Sequence, residues 1–366
     1  MARRQFSREY ATQSQLMWRA FRKHQLARIG LVVLAVMYFV AIFSDFFAPY
    51  GAHERFRSKD EAPPTLIHVW SQDGGLQAPF VYHMERTRDV ETYRVTYERD
   101  PSRKTRVRFF VQGEEYMLLG VFRMRIHLFG TGNPEIPIFL FGADTLGRDL
   151  FSRIIIASRM SLFIGFGGVF VSFLLGCIFG GISGYLGGLT DSIIQRLIDV
   201  LRSIPTLPVW IVLSAAIPTT WTVPQTYFAI TIVLAVVGWT SLARVVRGKL
   251  LALREEEYVM AAQLAGVKQG AIIARHLLPN FLSHLVVTLT LQIPGMILGE
   301  TALSFLGLGM QAPAVSWGVL LQQAQNTGAI AHTPWLLLPV LFVIVTVLMF
   351  NFVGDGLRDA ADPYHH

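Results

Sequence analysis

Few residues of this chain stand at spacings that could make or break a covalent bond. Gly248-Lys249 is the one Gly-Lys pair, and Leu250 follows it where a phosphate-cradling loop needs Ser or Thr. The histidines show no His-Glu-x-x-His or other metal spacing, so no metal ligands are predicted. Neither Gly-x-Ser-x-Gly nor a Ser/His/Asp set occurs, and Gly307-Leu-Gly309 follows no strand pattern that would open a nucleotide site. No catalytic residue and no enzyme activity is predicted. What remains is the chemistry of docking and of polar lining. Glu257-Tyr-Val-Met-Ala-Ala-Gln-Leu-Ala-Gly266 reads as a short helix: Glu255, Glu256 and Glu257 suit the positive end of its dipole, and Gly266 suits its C-terminal cap. Ala261, Ala262 and Ala265 give it a small-residue face that fits a partner's groove. A second short helix to His276 and Pro279 at the start of the next apolar run complete a stiff element able to transmit push and pull. Further on, His284, Thr288 and Gln292 recur at i, i+4, i+8 on one helical face, with Glu300 two turns beyond. Such a face borders a water-filled path or makes interhelical hydrogen bonds, and His284 could simply meet headgroups.

These residues sit among apolar runs. The chain has 366 residues, 52% of them hydrophobic, with a mean hydropathy of +0.43. Stretches near 29–47, 160–183, 204–220, 225–244, 281–303 and 335–353 approach the ~20 residues that cross a bilayer. The third is interrupted by Pro205, Pro208 and Pro218. Basic residues cluster before the first run (Arg3, Arg4, Arg8, Arg19, Arg22, Lys23, Arg28) and in the segments 184–203 and 245–280, while 221–224 and 304–334 have none. The positive-inside rule then puts both termini and the 245–280 loop in the cytoplasm, and 49–159 outside. Residues 1–28 predict a basic interfacial helix, 29–48 the first span, read as an uncleaved anchor, 160–353 a five-helix core, and 354–366 a cytoplasmic tail. The net charge of +7 is spread without a stripe, which fits lipid headgroups and argues against nucleic acid. Cys177, mid-span, says nothing of disulfides.

In the outer segment, alternation over Glu91–Glu98 and Thr105–Gln112 around Asp100-Pro-Ser predicts a β-hairpin, hence an α+β insert. In the second run Gly176, Gly180, Gly184 and Gly188 recur every four residues, a strip on which another helix packs closely or which lines a pore.

The 257–279 segment resembles the coupling motif of bacterial ABC importer permeases: Glu-Ala-Ala, three residues, Gly, nine residues, Ile, one residue, Leu-Pro. Ala261, Ala262, Gly266, Leu278 and Pro279 match in register, whereas Met260 stands in place of the Glu and His276 in place of the Ile. Phe141-Gly-Ala-Asp-Thr-Leu-Gly-Arg-Asp-Leu-Phe-Ser-Arg153, carrying Asp144, Gly147, Arg148 and Asp149, looks like the segment before the second span in the oligopeptide/dipeptide permeases. Leu303-Ser-Phe-Leu-Gly-Leu-Gly309 with Ser316-Trp-Gly318, and the ending 354–363, are similar too. The resemblance implies an all-α membrane protein of six transmembrane helices with the type I ABC importer permease fold, in the bacterial plasma (inner) membrane. It implies a homologous second permease, two cytoplasmic ATPases that hold ATP and Mg, and an extracytoplasmic solute-binding protein as partners. Glu257 would help Ala261, Ala262, Gly266, Leu278 and Pro279 couple to the ATPase. Thr288, Gln292 and Glu300 would border the path or the permease interface. Peptides are the implied cargo; oligosaccharide, nickel or an opine is the alternative within the family, and an ATPase-independent transporter the alternative outside it.

Overall fold

The computed structural model describes residues 13–71, 75–88, 95–133, 136–325 and 331–361. In chain order the elements are α1 (Gln13–Phe21), α2 (Gln25–Ile42), α3 (Ser44–Phe47), β1 (His68–Ser71), β2 (Gly75–Arg88), β3 (Val95–Arg106), β4 (Arg108–Leu118) and β5 (Phe122–Gly130). The helices α4 (Leu150–Leu186), α5 (Gly188–Ser203), α6 (Thr206–Ala215), α7 (Val223–Leu253), α8 (Glu257–Leu264) and α9 (Gln269–Ile272) follow. A π turn (Ile273–Leu277) and a 3-10 turn (Leu278–Phe281) lead into α10 (Leu282–Phe305), then α11 (Trp317–Gln323) and α12 (Leu338–Ala361).

Among the described residues, five helical stretches are long and apolar enough to cross a membrane: Gln25–Ile42, Leu150–Leu186, Val223–Leu253, Leu282–Phe305 and Pro334–Ala361. The weak third run behaves differently. Helix α6 pairs with α5 across a bend of 88°, because Pro205 drives Ile204 into extended backbone (ψ 132°) and ends α5 there. The predicted N-terminal helix likewise divides, with a break over Arg22-Lys23-His24 between α1 and α2; residues 1–12 lie outside the described residues.

Two compact units emerge, one of Met1–Ala35, Phe163–Leu303 and Ile344–His366, the other of Val36–Leu162 and Ser304–Val343. In the first, α4 lies against α7 along its glycines. A Cβ on Gly176 would fall 2.8 Å from Leu242, one on Gly180 2.5 Å from the Ala243 carbonyl, and one on Gly184 2.8 Å from the Arg247 carbonyl. Gly188 is not part of this strip: it opens α5, and among the described residues no other segment comes within 4 Å of its Cβ position.

The second unit carries the β-structure, a sheet ordered β1-β2-β3 and a separate β4-β5 pair, all antiparallel. Asp100-Pro-Ser is not a hairpin turn. It lies inside β3, whose partner is β2: Tyr82 pairs with Lys104 and His83 with Asp100, so residues 101–103 bulge out of the ladder. Asp100 accepts from the Ser102 N–H (2.9 Å) and hydroxyl (2.6 Å), closing the bulge locally. Pro101, which has no N–H to give, is accommodated because β3 is an edge strand. Glu91–Arg94 lie outside the described residues. Val81, Val107, Phe129 and Ile138 form the buried core of this β-region.

Candidate functional site

The 254–281 segment is built on the first unit's core. Helix α7 ends at Arg254, whose N–H reaches the Leu250 carbonyl, and Glu256 becomes the cap of α8, so Glu257 alone of the three acids occupies its first turn. The C-terminus closes with two backbone bonds: Gly266 N–H to the Gln263 carbonyl (3.0 Å) and Val267 N–H to the Ala262 carbonyl (3.1 Å). That is the Schellman pattern, which needs a left-handed residue at the first position past the cap. Gly266 supplies it with φ +75°. Val259 is fully buried in a cluster with Leu242, Val246, Leu250, Ile272, Leu277, Phe281 and Leu285, and Ala262, Val267 and Leu278 pack against it. Ala262 and Leu278 therefore face the protein's own core, because three residues along a helix return Ala262 to Val259's side. The outward face carries Ala261 and Ala265 with Tyr258, Met260 and Leu264, the last 90% exposed. Pro279 lies in the 3-10 turn that feeds α10.

This element is tied to three helices. Its core contacts are with α7 and α10, and the Gln263 amide donates to the Tyr185 hydroxyl at the end of α4 (3.0 Å). Next to Tyr185, Ser183 donates to Asp191 of α5, which receives both Nε and Nη2 of Arg247 of α7, a forked contact stronger than a single hydrogen bond. Neighbouring Asp199 and Arg244 pair as well.

On α10, the Thr288 hydroxyl donates to the His284 carbonyl (3.0 Å) and so satisfies itself within the helix. Gln292 Oε1 is buried with no hydrogen-bond partner among the described residues. Glu300 is 1% exposed. Gly299 beside it admits the Trp210 ring of α6, which a Cβ would meet at 2.7 Å. Trp210 Nε1 and Ser214 Oγ, both on α6, are also buried without a hydrogen-bond partner among the described residues.

In the second unit the 141–153 segment folds into a charged knot. Asp144 Oδ2 accepts from Arg148 Nε (2.7 Å) and Arg153 Nη1 (2.5 Å), and Oδ1 accepts the N–H groups of Leu146 and Arg148 (2.9 Å each). Gln323 of α11 accepts from Arg153 (2.8 Å) and Arg148 (3.4 Å). Gly147 turns the loop at φ +70°, where a Cβ would lie 2.6 Å from the Phe56 carbonyl. Asp149 caps α4 by accepting from the Ser152 N–H (2.8 Å) and hydroxyl (2.6 Å). Burial lifts its pKa to about 7, the Asp144 carboxylate adding to the effect and the Ser152 bonds opposing it.

The family of binding-protein-dependent transport system inner membrane components matches residues 172–364, more than half of the chain. The chain belongs to that family. The N-terminal transmembrane domain of oligopeptide transport permease C also matches, over 12–64. The oligopeptide transport system permease protein OppC of Bacillus subtilis is 40% identical over 238 residues, 65% of this chain and 75% of the relative. The dipeptide transport system permease protein DppC of the same organism is 36% identical over 301 residues, 78% of this chain and 92% of the relative. Escherichia coli OppC is 44% identical over 224 residues, 61% and 72% of the two chains.

In this inner membrane component the structure also joins residues that sequence reading did not single out. Arg153 and Gln323 complete the Asp144 knot from 170 positions apart, a pairing no spacing rule reports. A fully charged Arg at the head of an apolar helix was the available signal for the first of them. Tyr185, Gln263, Asp191 and Arg247 join around the 257–264 helix in the same way, each unremarkable in its own segment.

Proposed function

We propose that this chain is one permease subunit of an ATP-driven importer of peptides in the bacterial plasma membrane, with α8 and its Gly266 cap as the element through which cytoplasmic ATPases drive it. The named relatives are oligopeptide and dipeptide permeases, which favours peptide over sugar, nickel or opine cargo. The α5–α6 pair counts as the sixth span in this reading, both termini face the cytoplasm, and residues 49–159 lie outside as an α+β insert. A homologous permease completes the pathway, a solute-binding protein delivers peptide, and ATP with Mg stays on the two ATPases. Thr288, Gln292 and Glu300 belong to the path or to the interface between the permeases. Asp144, Gly147, Arg148 and Asp149 hold the extracytoplasmic end of α4 to α11. The observation that carries the reading is the α8 element itself: a short helix with one face in the core of α7 and α10 and the other, with Met260 and Leu264, exposed. Closure of the ATPases pulls on that exposed face, and α7, α10 and α4 move with it because Val259, Ile272 and Gln263 link them, switching access between two states.

The test is at Gly266. No atom among the described residues crowds its Cβ position, so within this chain a substitution there acts through the left-handed backbone. Gly266→Val should abolish ATP-dependent peptide uptake in proteoliposomes while peptide capture by the binding protein persists. Gly266→Asn, which tolerates that backbone, should retain much of the uptake. Full uptake by the Val variant would overturn the coupling role.

A further inference from the structure

The tip of the β4–β5 hairpin is unusual chemistry for an exposed turn. Leu118 pairs with Phe122, and Leu119-Gly120-Val121 closes the loop. Leu119 (φ +53°) and Gly120 (φ +72°) both occupy left-handed backbone, where Asn, Asp or Gly is the ordinary choice. Leu119, Val121 and Phe122 are exposed by 54%, 69% and 62%. Behind the tip β5 alternates, Phe122, Met124 and Ile126 to one side and Arg123 and Arg125 to the other. A bulky apolar residue in strained backbone at a solvent-facing tip is disfavoured twice, which calls for an apolar environment there.

The second unit shows where that tip goes. At the hairpin's base the Phe129 ring packs on Phe151, in the first turn of α4 (5.8 Å). Further along, His127 Nδ1 lies 2.6 Å from the Ala48 carbonyl, and the Phe110 ring lies against Phe46 of α3 (6.3 Å). Toward the tip the Tyr116 ring packs on that of His127 (5.0 Å), and burial, with the Asp45 carboxylate adding to it, raises the Tyr116 pKa. Asp45 in turn pairs with Arg159 (2.6 Å), whose Nε also reaches the Ala41 carbonyl (3.4 Å) in the last turn of α2. From Phe151 to Arg159 is eight residues of helix, about 12 Å at 1.5 Å per residue. The hairpin therefore descends from the head of α4 to the end of the first span, and three residues beyond Tyr116 extend about 10 Å more. The span ends there in an apolar ring cluster in which Phe39 packs on Phe43 (4.9 Å) and Phe47 (6.0 Å).

We propose that the β4–β5 hairpin is a membrane paddle: Leu119, Val121 and Phe122 seat in the headgroup–acyl boundary of the lipid bilayer on the side where α2 ends, with Arg123 and Arg125, both paired with Glu115 (3.9 and 2.8 Å), behind them in the headgroup region. The occupant is lipid because the approach is continuous with the boundary of the first span, and the proposal rests on α2 crossing a membrane. The paddle would brace the insert against the bilayer.

The test uses the full chain in nanodiscs with Cys177→Ala. A polarity-sensitive fluorophore is attached at Leu119→Cys or, as a second placement, Val121→Cys, with Ser102→Cys on the β3 bulge as the aqueous control. Both tip positions should shift emission to the blue and lose most of their intensity to phosphatidylcholine brominated near the headgroup end of its chains, while position 102 is unchanged. Tip labels as aqueous and unquenched as that at 102 would overturn the proposal. So would tip labels that become shielded only when the solute-binding protein is added, since that outcome makes the tip a protein dock. Neither outcome bears on uptake, so the coupling role of α8 stands or falls separately.

Discussion

Removing the Asp144 carboxylate isolates two buried guanidiniums at once. Among the described residues Asp144 is the only carboxylate paired with Arg148 and Arg153, which are 7% and 2% exposed. Asp144→Ala also strands the Leu146 and Arg148 N–H groups. Removing one partner of a buried ion pair costs about 3–5 kcal/mol, because an uncompensated charge stays behind. For a unit of this size a loss of that order lowers the melting temperature on the order of 10 °C. Gln323→Leu removes only the neutral acceptor on the same guanidiniums and should cost about 1.5–3 kcal/mol, as for a hydrogen bond to a charged group. Arg123→Ala breaks the exposed Glu115 contact and should cost under about 1 kcal/mol. The assay is thermal unfolding of the purified chain in one detergent at one scan rate, which keeps apparent midpoints comparable. The ordering Asp144→Ala, Gln323→Leu, Arg123→Ala is required. An Asp144→Ala chain melting within a degree or two of the parent would refute the knot as a structural anchor.

Two further predictions use the same unfolding measurement. The Asp149 pKa is raised from 3.8 to about 7, so between those values the folded chain holds a proton that the unfolded chain has released. The stability due to Asp149 is then present at acid pH and falls as pH rises through that window, by roughly 4 kcal/mol at the upper bound of 1.36 kcal/mol per unit. Asp149→Asn, which keeps a capping oxygen for Ser152, should flatten that slope and raise the midpoint at pH 8; an unchanged slope would contradict the assignment. Along α4, Gly180→Ala should destabilise, because its Cβ lands 2.5 Å from a backbone carbonyl, whereas Gly181→Ala, with its nearest neighbour at 3.6 Å, should be neutral or gain up to about 1 kcal/mol in helix propensity.

Hydropathy located the membrane helices because one apolar run of helical length suffices to define each, and Gly266 was legible because a helix stop carries its own local chemistry. Three features were not. Pro205 marks a break in a helix but not the 88° bend between α5 and α6, which only packing sets. Asp100-Pro-Ser carries the composition of a turn, and whether it turns or bulges depends on β2, a strand some twenty residues earlier that claims both sides of it. Within the 257–280 loop, the division of alanines between core and exterior hinged on Val259, whose burial is decided by α7 and α10. The knot around Asp144 shows the same limit, since its motif residues were recognisable while Gln323 was not.

The coupling claim is tested most directly by cross-linking at the exposed tip of α8. Leu264→Cys in the Cys177→Ala background places the chain's sole thiol on the residue that stands 90% exposed there. With the ATPases of the assembled transporter present and a short bifunctional reagent applied, the account predicts a covalent adduct to an ATPase subunit and loss of ATP-dependent uptake on adduct formation, while Ser102→Cys gives neither. Uptake that continues undiminished with position 264 fully cross-linked, or an assembled, transporting complex in which position 264 never reaches an ATPase, would contradict it.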